Sequence, residues 1–122
     1  METWNLKWTK LVSLSESSIE QLPDNTAGVY RLSYKAKDGD FYVFYVGQAK
    51  DIKTRLQEHL SSNEKNHCIS LYIGKDNCYF RYATITEEYV RDAAELQMYN
   101  HYQPSCNELE PEGREDIKIN LN

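Results

Sequence analysis

Only three cysteines, three prolines and five glycines occur among the 122 residues. Cys68, Cys78 and Cys106 are odd in number and scattered, which excludes a disulfide-dense framework and predicts reduced thiols. Internal repeats and low-complexity tracts are absent as well, and the only linker-like stretch is SLSESS (13–18). Long apolar runs are missing too: the longest, residues 41–46, has six residues, against the roughly 20 that cross a bilayer. The opening METWNLKWTKL is broken by Glu2, Lys7 and Lys10 and holds no signal-peptide core, so a cytoplasmic protein without membrane contact is expected. An excess of positive charge is also lacking. The net charge is −5 and the pI about 5.2, which argues against a nucleic-acid-binding footprint spread over the whole chain.

What is present has the balance of a globular protein, with 40% hydrophobic and 27% charged residues, enough to build one core. Charge is unevenly placed. Residues 31–84 hold 9 basic and 6 acidic side chains, whereas residues 85–122 hold 3 and 9. This predicts a mildly basic centre and an acidic end.

Residues 17–22 supply a helical turn before Pro23, and PDNTAG (23–28) reads as a turn. Residues 28–34 (GVYRLSY) set Tyr30, Leu32 and Tyr34 against Val29, Arg31 and Ser33, the period-2 pattern of a strand. Asp38-Gly39 predicts a hairpin turn. Residues 41–46 (FYVFYV) are continuously aromatic and β-branched, as a central strand covered on both faces would be, with Gly47 ending it. Asp51 is placed to cap a helix running to about residue 62. Its Ile52, Leu56 and Leu60 would face the core, with Arg55 and His59 as a half-buried pair on the border. Residues 68–73 fit a short helix or a strand, and 79–85 a third strand. Thr86 is the expected N-cap of a helix reaching about residue 99, and ELEPEGRED (108–116) is expected to be frayed or loosely packed. The order predicts an α+β fold in one domain, 1–122, with helices on a small antiparallel three-stranded sheet.

Gly28-Val29-Tyr30 on the first strand and Tyr45-Val46-Gly47 on the second resemble the paired motifs of the GIY-YIG nuclease family. Arg55 falls ten residues after Tyr45, His59 four after Arg55, and Glu95, on the last helix, precedes Asn107 by twelve. The layout is similar to the catalytic domain of the excision-repair nuclease and of phage homing endonucleases. The resemblance covers 28–107, leaving 1–27 as an N-terminal extension and 108–122 as an acidic tail.

The resemblance implies hydrolysis of DNA phosphodiester bonds with one divalent ion, Mg²⁺ or Mn²⁺. Glu95 would be its sole protein ligand, which suits Mg²⁺ because that ion keeps most of its waters. Arg55 would stabilise charge on the phosphate with its forked donors, a geometry lysine lacks. Tyr30 would act as general base, although a phenol of pKa about 10 needs nearby cations to lower it. His59 would assist as hydrogen-bond partner or proton acceptor, Tyr45 would orient water or phosphate, and Asn107 would fix the geometry through its amide. Gly47 would let the backbone bend and the nucleic acid approach. Lys50, Lys53 and Lys65, with Tyr42 and Phe44, could line a DNA groove.

Each residue also has a plainer structural reading. Any of the 10 tyrosines can be a packed core residue. Arg55 and His59 can be a helix-flank pair, Asn107 can end a turn, and Glu95 can pair with Arg91 four residues earlier. His67, Cys68, Cys78, His101 and Cys106 match no paired zinc spacing. The 14 residues between Tyr30 and Tyr45 exceed the family's usual link, and the surplus lies in the KAKDGD hairpin. No segment resembles a separate DNA-binding domain, so specificity would come from a protein partner, a homo-oligomer or substrate shape. The alternatives to a nuclease are a non-catalytic or partner-dependent nucleic-acid-binding module of the same fold, and an unrelated interaction protein with accidental motifs.

Overall fold

A computed structural model describes all 122 residues. The elements run β1 (Glu2–Asn5), β2 (Val12–Ser13), α1 (Glu16–Glu20), β3 (Gly28–Lys35), β4 (Phe41–Ala49), α2 (Ile52–Leu60), α3 (His67–Ile73), β5 (Cys78–Thr84), α4 (Glu88–Tyr102) and β6 (Ile117–Asn120). The α+β expectation holds, with an antiparallel sheet at its centre. Its strand order is β2-β5-β3-β4, so a short fourth strand extends the expected three.

The central strand is β3, between β4 and β5, and not the apolar run of β4 as expected. β4 is an edge strand whose first residues, Phe41 and Tyr42, are exposed, yet its remainder is covered on both faces. A β-bulge explains its unbroken apolar sequence. Leu32 pairs with Tyr45 and Ser33 with Val43, leaving Phe44 as the extra residue. Phe44 and Tyr45 therefore join the same core, and Val43 and Val46 the opposite one. β4 also continues through Gly47 to Ala49.

Two cores flank the sheet. Tyr30, Leu32, Phe44 and Phe80 pack under Ile19 of α1, Ile52 and Leu56 of α2 and Ile69 of α3. Val29, Val46 and Ala83 pack on the other face under Val90, Ala93, Ala94 and Met98 of α4, with Ile117 and Ile119 of β6. The helix stripe of α2 thus faces inward as its spacing predicts. Residues around 68–73 resolve as a helix because the Asn66 side chain caps it, accepting from the Ile69 N–H at 3.2 Å. α4 starts one residue later than Thr86 would set. Glu87 holds the N-cap position without a side-chain cap bond, and the Thr86 carbonyl instead accepts from Arg91.

ELEPEGRED (108–116) holds no helix or strand, and the chain becomes regular again just after it. β6 pairs in parallel with β1, from Glu2 opposite Ile117 to Asn5 opposite Asn120, and buries Ile117 and Ile119. The thiols are not all free. Cys68 and Cys106 form a disulfide across a Cα separation of 5.4 Å, inside the normal bridging range. Sequence spacing could not show this, because the two meet only where α3 packs beside the segment after α4. Cys78 remains a buried free thiol, and burial pushes its pKa up to about 11. No helix is long and apolar enough to cross a membrane.

If β6 is integral to the fold, Ile119→Ala should lower unfolding free energy by about 2–3 kcal/mol. Leu109→Ala, at an 83% exposed position, should change it by about 0.5 kcal/mol or less. Urea denaturation of the two variants checks the contrast.

Candidate active site

The site begins with two close backbone approaches. A side chain at Gly28 would run into the Ala83 carbonyl of β5, so only glycine lets β3 and β5 pair there. Gly47 lies opposite Tyr30, and a Cβ on it would sit 2.6 Å from the Tyr30 hydroxyl oxygen and 2.7 Å from Cζ. β4 does not bend sharply at Gly47, and the missing side chain there has a steric consequence. It makes room for the Tyr30 ring, which lies in regular β pairing.

That ring is 1% exposed, and a buried phenol needs a partner for its hydroxyl. The partner is His59, whose Nε2 lies 2.7 Å from the Tyr30 hydroxyl. His59 is itself 1% exposed rather than half-buried on the helix border. Its Nδ1 lies 2.7 Å from Glu64 Oε2, and the other Glu64 oxygen accepts from the Asn66 N–H at 2.9 Å. Glu64 follows the C-cap of α2 at Ser61, so no helical periodicity could have linked it to His59.

These surroundings set the protonation states. Burial, with repulsion from Tyr45 and Glu95, raises the Tyr30 phenol well above its ordinary value, and Arg55 only partly opposes it. The expectation that nearby cations lower it is not met by the protein's own groups. Burial also lowers His59 and Arg55 adds to this, with Glu64 opposing. His59 is therefore neutral near pH 7. Burial alone would raise Glu64, but the Asn66 N–H, His59 and Arg55 hold it below the usual carboxylate range.

Tyr45 stands in front of this buried pair, its ring centroid 6.1 Å from that of Tyr30 and 5.3 Å from that of His59. It lines an open cleft of about 370 Å³ together with Arg55, Glu64, Lys65, Glu95 and Asn107. Arg55 is partly exposed there, bonded to Glu58 at 3.2 Å and 3.9 Å from Glu64. Asn107 acts on the free edge of β4. Its Oδ1 accepts from the Val46 N–H at 3.0 Å and its Nδ2 donates to the Val46 carbonyl at 2.9 Å. It takes the place of a neighbouring strand beside Tyr45.

Glu95 does not pair with Arg91. Arg91 is buried and donates to the carbonyls of Ile85 and Thr86 and to Gln48 Oε1. The Gln48 amide, fixed in orientation because arginine can only donate, passes its own donors to Asp92 at 2.6 Å and Glu95 at 3.1 Å. Gln48 sits one residue beyond the YVG motif, and nothing in its type or spacing marked it. Glu95 joins no ion pair. Burial raises its pKa, Gln48 partly offsets this, and Asp92 adds to it. A half-buried carboxylate on the cleft wall with no cation partner fits a hydrated divalent ion. No group of three or more His, Cys, Asp or Glu side chains is placed to hold a metal ion by itself.

The lysines divide. Lys65 lines the cleft, Lys50 is exposed, and Lys53 is tied to Asp24 at 3.3 Å. Tyr42 is exposed, but Phe44 is fully buried and cannot line a DNA groove.

A family profile described as GIY-YIG catalytic domain matches residues 26–109. Curated relatives are called UvrABC system protein C. The proteins of Rickettsia rickettsii (strain Sheila Smith) and Rickettsia africae (strain ESF-5) are 30% identical over 96 residues, and that of Rickettsia akari (strain Hartford) is 29% identical over the same length. Each alignment covers 79% of this chain but 14% of the relative. The chain thus corresponds to a small part of those proteins.

Gly47→Ala should displace the Tyr30 ring, break its bond to His59, and cost about 1–3 kcal/mol of stability. Denaturant titration with a crystal structure of the variant checks both effects.

Proposed function

Because the chain belongs to the GIY-YIG catalytic-domain family, we propose that it is a divalent-metal-dependent DNA endonuclease hydrolysing phosphodiester bonds in the cleft between α2 and α4. The observation that carries this reading is the convergence of Tyr45, Arg55, Glu95 and Asn107 on one cleft, with Tyr30 and His59 directly behind it. Residues from four separate stretches of chain meet there, which an accidental motif would not produce.

Arg55 exchanges its exposed bond to Glu58 for a phosphate oxygen, where a forked guanidinium stabilises charge that grows in the transition state. Glu95 holds Mg²⁺ or Mn²⁺, one ion, which when bound supplies Lewis-acid stabilisation of the phosphate. Gln48 keeps the Glu95 carboxylate turned toward the cleft. Tyr45 orients the attacking water or a phosphate oxygen from the cleft wall. Tyr30 accepts the proton of that water, with His59 as its hydrogen-bond partner. Asn107 fixes the β4 edge on which Tyr45 rides. Lys50 and Lys65 are the DNA contacts this geometry favours, and Lys53 becomes one on release from Asp24.

A second reading rests on charge. Glu64, Glu95, Glu108 and Glu110 line the cleft against Arg55 and Lys65. This acidic rim opposes unaided approach of a polyanion, which favours a module that acts on nucleic acid through a specificity-providing partner or an oligomer. The similarity to UvrABC system protein C links the domain to repair chemistry. Recombination, restriction and mobile-element transfer are the other processes this reading admits.

Supercoiled plasmid and a panel of forked and branched DNAs, incubated with Mg²⁺, Mn²⁺ or EDTA, test the nuclease. Cleavage by the parent should vanish in EDTA, and Glu95→Ala and Arg55→Ala should each lose about 10²-fold or more in rate. Cleavage by Glu95→Ala at the parent rate would remove the metal assignment. Binding of a DNA without cleavage in any metal would establish the second reading.

A further inference from the structure

The nuclease reading leaves a difficulty in its own terms. A phenol as deeply buried as Tyr30 is held protonated, and a protonated phenol cannot take a proton from water unless its own proton leaves at the same time. The route out is visible in the hydrogen bonds. A carboxylate held below the usual range can only accept, so Glu64 Oε2 at 2.7 Å requires that His59 Nδ1 carry a hydrogen. A neutral imidazole has one N–H, so Nε2 is bare and accepts from the Tyr30 hydroxyl 2.7 Å away. The phenol hydrogen therefore points at His59.

We infer that Glu64 is the positioning residue of the site: it locks His59 in the Nδ1–H tautomer, so that His59 Nε2 receives the Tyr30 proton as Tyr30 receives the proton of the attacking water. This rests on the nuclease reading above and deepens it. As the water oxygen bonds to phosphorus, one water proton passes to the Tyr30 oxygen and the phenol proton passes to Nε2. The bond from phosphorus to the leaving oxygen breaks, and that alkoxide takes a proton from solvent water. The imidazolium, paired with the Glu64 carboxylate, then returns its proton to solvent, and Tyr30 ends as the phenol it began as. Tyr30 never becomes a free phenolate, so the cost of burying that charge does not arise.

The geometry suits this use. Glu64 is held from its other side by the Asn66 N–H, and its side chain is only 5% exposed. Arg55 at 3.9 Å and Glu58 beyond it are the other charged groups near the His59–Glu64 pair. Neither is bonded to the imidazole, so Glu64 alone sets the tautomer. The logic is that of a carboxylate orienting a histidine base toward a hydroxyl.

Nitrogen-15 NMR of protein labelled at its three histidines reads the tautomer without any DNA or metal, with His59→Gln identifying the signals. In the parent, His59 Nδ1 should carry the hydrogen and Nε2 should show the shift of a bare nitrogen. Glu64→Ala should lose that preference. Glu64→Gln, which can face Nδ1 with either its oxygen or its amino group, should weaken it and serves if the alanine variant does not fold. In the cleavage assay both should lower kcat by about 10- to 100-fold with KM within about twofold of the parent, and Glu64→Asp should restore part of the loss. A hydrogen on Nε2 in the parent overturns the inference, and so does an undiminished kcat in a folded Glu64→Gln protein. Failure of the parent to cut any DNA would instead count against the nuclease, because the tautomer is decided separately.

Discussion

The ring of Tyr30 lies against a backbone that has no side chain at Gly47, and the residues behind the cleft are arranged around that fit. Burying the ring gains apolar contact, but it also removes a hydroxyl from water, and a buried polar group left unpaired costs about 1–3 kcal/mol. The hydroxyl therefore needs His59, and His59, buried in turn, needs a partner for its second nitrogen. Glu64 supplies it and is itself satisfied by the Asn66 N–H, which belongs to the cap of α3. One packing decision on β3 thus propagates through α2 into the start of α3. The same chain of obligations that satisfies the core produces the order carboxylate, imidazole, phenol, with Tyr45 next to the cleft.

The second arrangement concerns the edge of the sheet. β4 has no strand beyond it, and its unpaired backbone would otherwise be left to water or to another chain. The segment after α4 covers it. Cys106 donates its backbone N–H to Phe44 at 2.8 Å, and Asn107 bonds both ways to Val46. Asn66 donates to the Cys106 carbonyl, and the Cys68–Cys106 disulfide ties this cover to α3. Tyr45 lies between the two points of attachment, so its backbone is bracketed by hydrogen bonds although β4 is an edge strand.

Much of this was legible from residue order. The strand at 28–34, the hairpin at Asp38-Gly39 and the capped helix after Asp51 follow from local patterning, and the paired tripeptides set Tyr30 and Tyr45 on neighbouring strands. What escaped depends on contacts between distant segments. The rank of β4 in the sheet was misread because a bulge at Phe44 mimics the unbroken apolar run of a central strand. His59 looked like a border residue because helical spacing cannot reveal a loop closing over it. Arg91 looked like the partner of Glu95 because they are one turn apart, yet two backbone carbonyls and Gln48 claim its donors. Glu64 and Gln48 carry no signature of type or spacing, and the pairing of Cys68 with Cys106 arises only when α3 and the chain after α4 meet.

The parallel pairing of β1 with β6 joins residues more than a hundred positions apart, and Trp8 adds a bond from its indole N–H to the Leu121 carbonyl. Contacts of such sequence separation carry the largest loop-closure cost and form late unless what lies between is already ordered. β1 therefore waits, unpaired, for β6. Until it closes, Ile117 and Ile119 are missing from the core beneath α4, the helix that carries Glu95. Formation of the cleft wall that carries Glu95 is thereby tied to β6, while the wall of Tyr30, Tyr45 and His59, built from residues 28–64, can condense earlier.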